Sequence, residues 1–210
     1  MTRYAKLTSW LIGAWFVLAL ALSALHVLKT RPGEPPLALG LAALTPVLVF
    51  LVWYGSSTGF REFLLSLSPR PLTLVQSWRV AGFAFVALAA YRILPNAFAL
   101  PAGYGDIAIG LTAPLAALLL ANPEHRGSFL LWQVLGMADL VTAVSLGPLA
   151  GVLDPHGIPM SPIMVLPLSL IPTFAVPLLL MLHIACVAQA LRWPARATRA
   201  SGKALVSPAA

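Results

Sequence analysis

The chain has 210 residues, of which 60% are hydrophobic and 9% are charged. A water-soluble domain carries roughly 25% charged residues, because its exposed surface needs polar cover, so this composition excludes an ordinary soluble fold. The net charge of +7 does not indicate nucleic-acid binding, because the basic residues lie between apolar runs and at the two ends rather than in a stripe with aromatic residues. The composition therefore predicts an all-α, polytopic transmembrane helical bundle.

Six apolar stretches have the length that a helix needs to cross the hydrocarbon layer of a membrane. The predicted spans cover residues 8–28, 37–54, 74–94, 103–122, 128–149 and 163–190. They form one domain, residues 1–193, and the basic tail at 194–210 is predicted to be disordered. The first span has an alternative interpretation as a cleaved signal peptide, since Arg3 and Lys6 precede its apolar run, but its length favours a retained helix.

Two segments near the third span depart from a plain apolar helix. Residues 60–69 are too short to cross a membrane and are predicted to lie on its cytoplasmic surface, with their apolar side towards the lipid. The charge-free part of the third span covers only residues 80–91, so Arg79 and Arg92 are predicted to extend their side chains towards the two interfaces.

The start of the fourth span contains Gly103-Tyr104-Gly105-Asp106, which matches the end of a potassium-channel selectivity filter. A filter needs a pore helix before it, and Pro95 interrupts the short segment where that helix would lie. The motif is therefore interpreted as a turn that starts the span. In that turn the helix dipole would favour the charge of Asp106.

Basic residues favour the cytoplasmic side of membrane proteins. With the N-terminus inside, ten of the basic residues fall on the inner side, and only Lys29, Arg31 and Arg92 fall on the outer side. All six tryptophans fall towards the inner ends of their predicted helices, where indole rings prefer the headgroup level. This pattern predicts a multi-pass protein of the plasma membrane, the inner membrane of a bacterium, with both termini in the cytoplasm.

Asp139 lies near the centre of the predicted fifth span, where a charge costs about 2.5–3.5 kcal/mol. Gly136 and Thr142 lie three residues to either side, which predicts a small, polar stripe on one helix face. Two interpretations stay open. One is a proton or cation site facing the bundle interior, and the other is a neutral carboxylic acid that is hydrogen-bonded to a neighbouring helix.

Arg79, Gln133 and His183 form a further polar group, which the rise per residue places about 9–13 Å to the inner side of the midplane. For these three the favoured interpretation is structural, with Arg79 at the interface and the other two in helix–helix hydrogen bonds. The predicted intramembrane polar site thus comprises Asp139, Thr142, Arg79, Gln133 and His183.

A second predicted polar group lies on the outer surface and comprises Asp106, Asp154 and His156. No cofactor or metal is expected. His26 and His183 fall at opposite levels of the bundle, which argues against a shared haem iron. Cys186 is the single cysteine, and the chain has neither CxxC nor His/Cys zinc spacing.

Prolines lie near the middles of two predicted spans and are densest around the sixth. Pro46 and Pro114 lie near the middles of the second and fourth spans, and the sixth contains Pro162, Pro167, Pro172 and Pro177. A proline inside a helix removes one hydrogen bond and frees a carbonyl, which in lipid needs another partner. The kinked stretches either line a site or provide curvature only.

Residues 78–85 and 132–139 share Trp, Val, Gly and Ala at the same offsets. Either a helical hairpin is duplicated in parallel, as in some transporters, or two helices with similar packing needs have converged.

These patterns favour a small-solute or proton-coupled permease with Asp139 as its midplane acid. The alternative is a non-catalytic subunit or assembly factor of a larger membrane complex, in which Gly82, Gly110 and Gly136 would receive partner helices. A lipid-modifying enzyme is less favoured, because no acid–base or metal constellation is evident. The expected partners are membrane lipids, and either further copies of the chain or partner membrane subunits.

Overall fold

The computed structural model describes residues 3–31, 34, 36–153 and 157–194, and this part of the chain contains helices and turns but no β-strand. Six helical segments within it are long and apolar enough to cross a membrane: Arg3–Ala24, Leu37–Ser56, Pro69–Ala90, Asn96–Leu120, Pro123–Ala150 and Ile171–Leu191. The predicted all-α class with six long apolar segments is confirmed. Apart from residue 194, the predicted tail lies outside the described residues.

The α-helices in chain order are α1 (Arg3–Ala24), α2 (Leu37–Ser56), α3 (Thr58–Ser66), α4 (Pro69–Leu74), α5 (Phe83–Ala90), α6 (Asn96–Leu115), α7 (Arg126–Leu153) and α8 (Val176–Leu191). A 3-10 helix, Val75–Gly82, joins α4 to α5, and shorter 3-10 helices cover Pro123–His125 and Ser161–Met164. Turns of π-helix extend the end of α6 over Ala116–Leu120 and the start of α8 over Ile171–Ala175.

The short helix α3 covers most of the segment that is predicted to lie on the membrane surface. Ser57 caps it, with the side-chain oxygen accepting a hydrogen bond from the Phe60 backbone N–H at 3.3 Å. The Phe60 ring is buried and stacks on Trp53 of α2, with 3.8 Å between the ring centroids. These contacts fold α3 back against α2.

The predicted fourth span, residues 103–122, begins too late. Helix α6 begins at Asn96, directly after Pro95, and continues through Pro101, which removes one hydrogen bond without ending the helix. The segment that contains Gly103 and Asp106 is therefore interior helix and not a turn.

The predicted sixth span, residues 163–190, is too long at its beginning. Ser161–Met164 is a separate 3-10 turn, and the long helical segment starts at Ile171. Pro172 stands in the first turn of that segment, where its missing N–H breaks no helical hydrogen bond. Pro177 lies further in and frees the Thr173 carbonyl, which instead accepts a hydrogen bond from Trp15 Nε1 of α1 at 3.1 Å.

Glycines let α6 approach the 3-10 helix Val75–Gly82 closely. A Cβ atom on Gly82 would lie 2.8 Å from the Gly103 carbonyl oxygen, and one on Gly110 would overlap the backbone at Val80. The prediction that Gly82, Gly110 and Gly136 are free to receive partner helices is wrong, because the chain's own helices and side chains already occupy these positions.

Candidate functional site

The 3-10 helix Val75–Gly82 sets the geometry of the polar site. With three residues per turn, side chains three positions apart lie one above another on the same face. Gln76, Arg79 and Gly82 follow this spacing and are all buried, and the buried Thr73 continues the stripe back into α4. Because of this spacing, the polar side chains of Thr73, Gln76 and Arg79 form a straight stripe that faces α6, α7 and α8.

Arg79 forms the centre of this site, and its three guanidinium nitrogens all have partners. Nε donates to Asp106 Oδ1 of α6 at 2.7 Å, and Nη2 donates to Asp139 Oδ2 of α7. Nη1 donates to the Gly136 carbonyl oxygen at 3.1 Å and lies 3.3 Å from His183 Nε2 of α8. One side chain thus joins four helical segments, and we call Arg79, Asp106 and Asp139 the Arg79 triad.

The charges of the Arg79 triad do not balance. A guanidinium group stays protonated in proteins, whereas each carboxyl group can carry one negative charge. With both carboxyls ionised the triad carries one excess negative charge, and an uncompensated charge inside a membrane is costly. One proton or one monovalent cation restores neutrality, so the arrangement is suited to binding either of them.

A chain of hydrogen bonds runs from Arg79 away from the two carboxyls. Because Nη1 of Arg79 can only donate, His183 Nε2 is the acceptor and the imidazole proton lies on Nδ1. That proton is donated to Gln133 Oε1, and Gln133 Nε2 donates to Thr73 Oγ1 at 3.1 Å. The Thr73 hydroxyl then faces Cys186 Sγ at 3.7 Å. We call this path the His183 chain, and it holds a neutral imidazole in one tautomer.

Two glycines provide the space that these side chains occupy. A Cβ atom on Gly105 would overlap the Asp139 carboxyl group, and one on Gly136 would overlap the His183 ring. Both residues lie inside helices, where glycine costs about 1 kcal/mol relative to alanine. This cost is offset by the close approach of α6 to α7 and of α7 to α8.

A cavity of about 130 Å³ lies beside the triad, between the first half of α2, α5, the part of α6 up to Asp106, the second half of α7 and the segment that leads into α8. Its lining includes Phe85, Phe98, Leu140 and Ile163, and Asp106 is the only charged residue that the structure places in its wall. The Asp106 side chain is 17% exposed, whereas that of Arg79 is 1% exposed. The carboxyl group therefore faces the cavity while the guanidinium group lies behind it.

The structure brings together four of the five residues predicted for the intramembrane site: Arg79, Asp139, Gln133 and His183. Thr142 does not join them, because it is exposed and its hydroxyl donates to the Ala138 carbonyl of its own helix at 2.8 Å. The predicted interfacial position of Arg79 is also wrong. Its side chain is buried, because two carboxyl groups within the bundle satisfy the charge.

The predicted outer-surface group is wrong for Asp106. Because α6 starts at Asn96, Asp106 lies well inside the helix and pairs with Arg79. Asp154 and His156 lie outside the described residues. Sequence reasoning missed Thr73 and Gln76, which lie six and three residues before Arg79. This repeat of three places the side chains on one straight face only if the helix is 3-10.

No group of three or more His, Cys, Asp or Glu side chains that would suit a metal ion occurs among the described residues. The cluster is a charged and hydrogen-bonding site built from one guanidinium group, two carboxyl groups and one imidazole.

Comparison with known protein families gives a match over most of the chain. The family model described as a domain of unknown function, DUF8737, covers residues 35–191, from just before α2 to the end of α8, and thus includes the whole Arg79 triad and the His183 chain. No curated protein and no solved structure matches the chain. Since the matched region makes up most of the sequence, the chain belongs to the DUF8737 family.

Proposed function

We propose that this protein is a small proton-coupled permease of the plasma membrane and that the Arg79 triad is its proton-binding site. The observation that carries the proposal is the pairing of one buried arginine with two carboxyl groups from different helices. Intramembrane ionisable groups with such partners commonly mark ion pathways and proton relays. The adjoining cavity provides a place for a solute next to the same carboxyl groups.

The geometry supports a way for proton binding to move helices. Arg79 pairs with Asp106 of α6 and with Asp139 of α7 at the same time. A proton on Asp139 would neutralise one ion pair and leave the other, so that α7 would be held less tightly while α6 stays attached. Proton binding and release would then bias two arrangements of the bundle, which is what coupled transport requires.

The test uses purified protein in liposomes adsorbed on a solid-supported membrane, with current measured after a step in external pH. We expect a transient current from the wild-type protein and its loss in Asp139→Asn, which keeps the side-chain shape but cannot release a proton. Ser145→Ala is the matched control, because Ser145 is exposed on the same helix and its hydroxyl donates to the Val141 carbonyl of that helix. Equal currents from Asp139→Asn and wild type, or none above empty liposomes, would reject the proposal.

The proposed orientation places both termini in the cytoplasm of a bacterial cell, with the cavity in the outer half of the bundle. The bias of basic residues towards one set of loops supports it. Alkaline phosphatase, which is active only outside the cytoplasm, tests it when fused after Arg31 or after Lys203. Activity is expected for the first fusion and not for the second, and the reverse result would invert the topology.

A role as a non-catalytic subunit of a larger membrane complex is the second candidate. A cleft of about 770 Å³ separates much of α1 from α2, α3 and α8, and this space would accept a partner helix. Purification in a mild detergent separates the two proposals. A partner that copurifies in fixed stoichiometry, and that is lost when large side chains fill the cleft, favours the subunit. A lipid-modifying enzyme gains no support, since Asp106 is engaged with Arg79.

A further inference from the structure

The wall of the cavity next to Asp106 is apolar except for one hydrogen-bond-accepting carboxyl group. Among the described residues, its lining consists of Leu, Ile, Val, Phe, Met, Ala, Gly and Pro with Asp106 as the single exception, so none of these side chains carries a permanent N–H or O–H donor. Pro148 also belongs to the wall and cannot donate to the carbonyl of Val144, four residues earlier in α7. The polar character that the cavity has is therefore that of a hydrogen-bond acceptor.

This character selects among solutes. An anion would meet the Asp106 carboxyl group without finding a donor, and a sugar would leave several hydroxyl groups unpaired, each at a cost. Asp106 Oδ1 accepts from Arg79, while Oδ2 makes no hydrogen bond within the part of the chain that the structure describes. Oδ2 is therefore open to a cationic donor.

The cavity's volume and its apolar lining limit the part of the ligand that does not contact Asp106. The cavity volume is about 130 Å³. An engineered protein cavity of about 150 Å³ binds benzene, so the two volumes are similar. Phe85 and Phe98 pack edge to face in its wall, with 5.5 Å between ring centroids, and aromatic rings attract cations. Met160 and Met164 add flexible thioether side chains that adapt to the shape of a ligand.

We infer that this cavity is a binding site for a monovalent organic cation with one apolar group of about the size of a benzene ring, and that the cation exchanges with a proton. The inference rests on the proposed permease function and names its substrate class. With both carboxyl groups ionised the Arg79 triad carries one excess negative charge, which either a proton or the cation neutralises. Binding one therefore releases the other, and the protein exchanges a proton for an organic cation.

Benzylamine, which is a cation at neutral pH, serves as the probe, with benzyl alcohol and benzoate as its neutral and anionic counterparts. Calorimetric titration of the purified wild-type protein should show saturable binding of benzylamine alone, and a weakly buffered solution should become more acidic as it binds. Asp106→Asn should weaken binding about 30-fold or more, which corresponds to the ~2 kcal/mol lost when one partner of a buried charge pair is removed. This variant keeps the Arg79–Asp139 pair, so the bundle retains a balanced charge.

A second pair of variants tests the location independently of charge. Ala143→Phe places a ring in the cavity and should abolish binding, whereas Ala138→Phe makes the same substitution on an exposed face of α7 and should leave it unchanged.

Equal binding of benzyl alcohol, binding that survives both Asp106→Asn and Ala143→Phe, or binding without acidification would overturn the inference. Proton-driven currents without benzylamine binding would overturn it while leaving the permease proposal intact. Specific binding in a protein that gives no current would remove the permease and support the cation site.

Discussion

Helices α1 and α2 differ from the rest of the bundle in how they are held. Only 11% of the residues in the most apolar stretch of each are buried, against 33% for Pro69–Ala90 and 39% for Asn96–Leu120. Helix α1 makes aromatic contacts with the rest of the bundle through Tyr4 near one end and Trp15 in the middle. The buried half of the molecule instead contains two ion pairs and a continuous chain of side-chain hydrogen bonds.

This difference has a physical cause. Lipid tails solvate apolar side chains as well as other helices do, so apolar surface alone gives little reason for two helices to associate. A charged group has no such freedom, because separating Arg79 from Asp106 and Asp139 would expose them to hydrocarbon. The polar residues therefore define one arrangement of α4 to α8, and the family match, which begins at residue 35, contains all of these helices and excludes α1.

Removal of the central arginine should have the largest effect. Arg79→Met leaves Asp106 and Asp139 without a counter-charge and should lower the free energy of unfolding by about 3–5 kcal/mol, measured by thermal unfolding in detergent. Arg70→Met is the matched control, since Arg70 is exposed and lies nine residues earlier in the same helical segment. Combining Arg79→Met with Asp106→Asn and Asp139→Asn should restore most of the stability. An Arg79→Met protein as stable as Arg70→Met would mean that the triad does not hold the bundle together.

A smaller loss of stability is expected when a substitution fills the space between two helices and leaves the charges unchanged. Gly136→Ala forces a methyl group into the His183 ring and should cost about 1–3 kcal/mol in stability. Gly127→Ala, in the same helix α7 but with no atom near its Cβ position, should be neutral or slightly stabilising. If both variants unfold at the same temperature, close contact between α7 and α8 is not required.

The weakest effect should come from the contact that ties α1 to the core. Trp15→Phe keeps the packing on Phe174 but removes the hydrogen bond to the Thr173 carbonyl, at a cost of about 0.5–1.5 kcal/mol. Trp10→Phe provides the control, because Trp10 is 79% exposed and has no such bond among the described residues. A loss for Trp15→Phe as large as that for Arg79→Met would contradict the contrast between the two regions.

Part of the candidate site was predictable from sequence. Asp139, Gln133 and His183 are unusual in apolar segments, and their depth follows from counting residues along each helix. Counting residues gives the depth of a side chain but not whether it faces the bundle interior or its outside. Thr142, a predicted member, faces away from the site, whereas Asp106 joins it because the helix that carries it starts earlier than the apolar run indicates.

The amino-acid sequence by itself determined the helical class, the six long apolar segments and the presence of charged residues within them, because these follow from composition and from the thickness of a membrane. Only the tertiary structure decided that Arg79 is shared between two carboxyl groups and backed by His183. The reason is that a 3-10 helix changes the period from 3.6 to three residues per turn, which turns Arg79 inwards, and that glycines let α6, α7 and α8 approach closely enough to meet it.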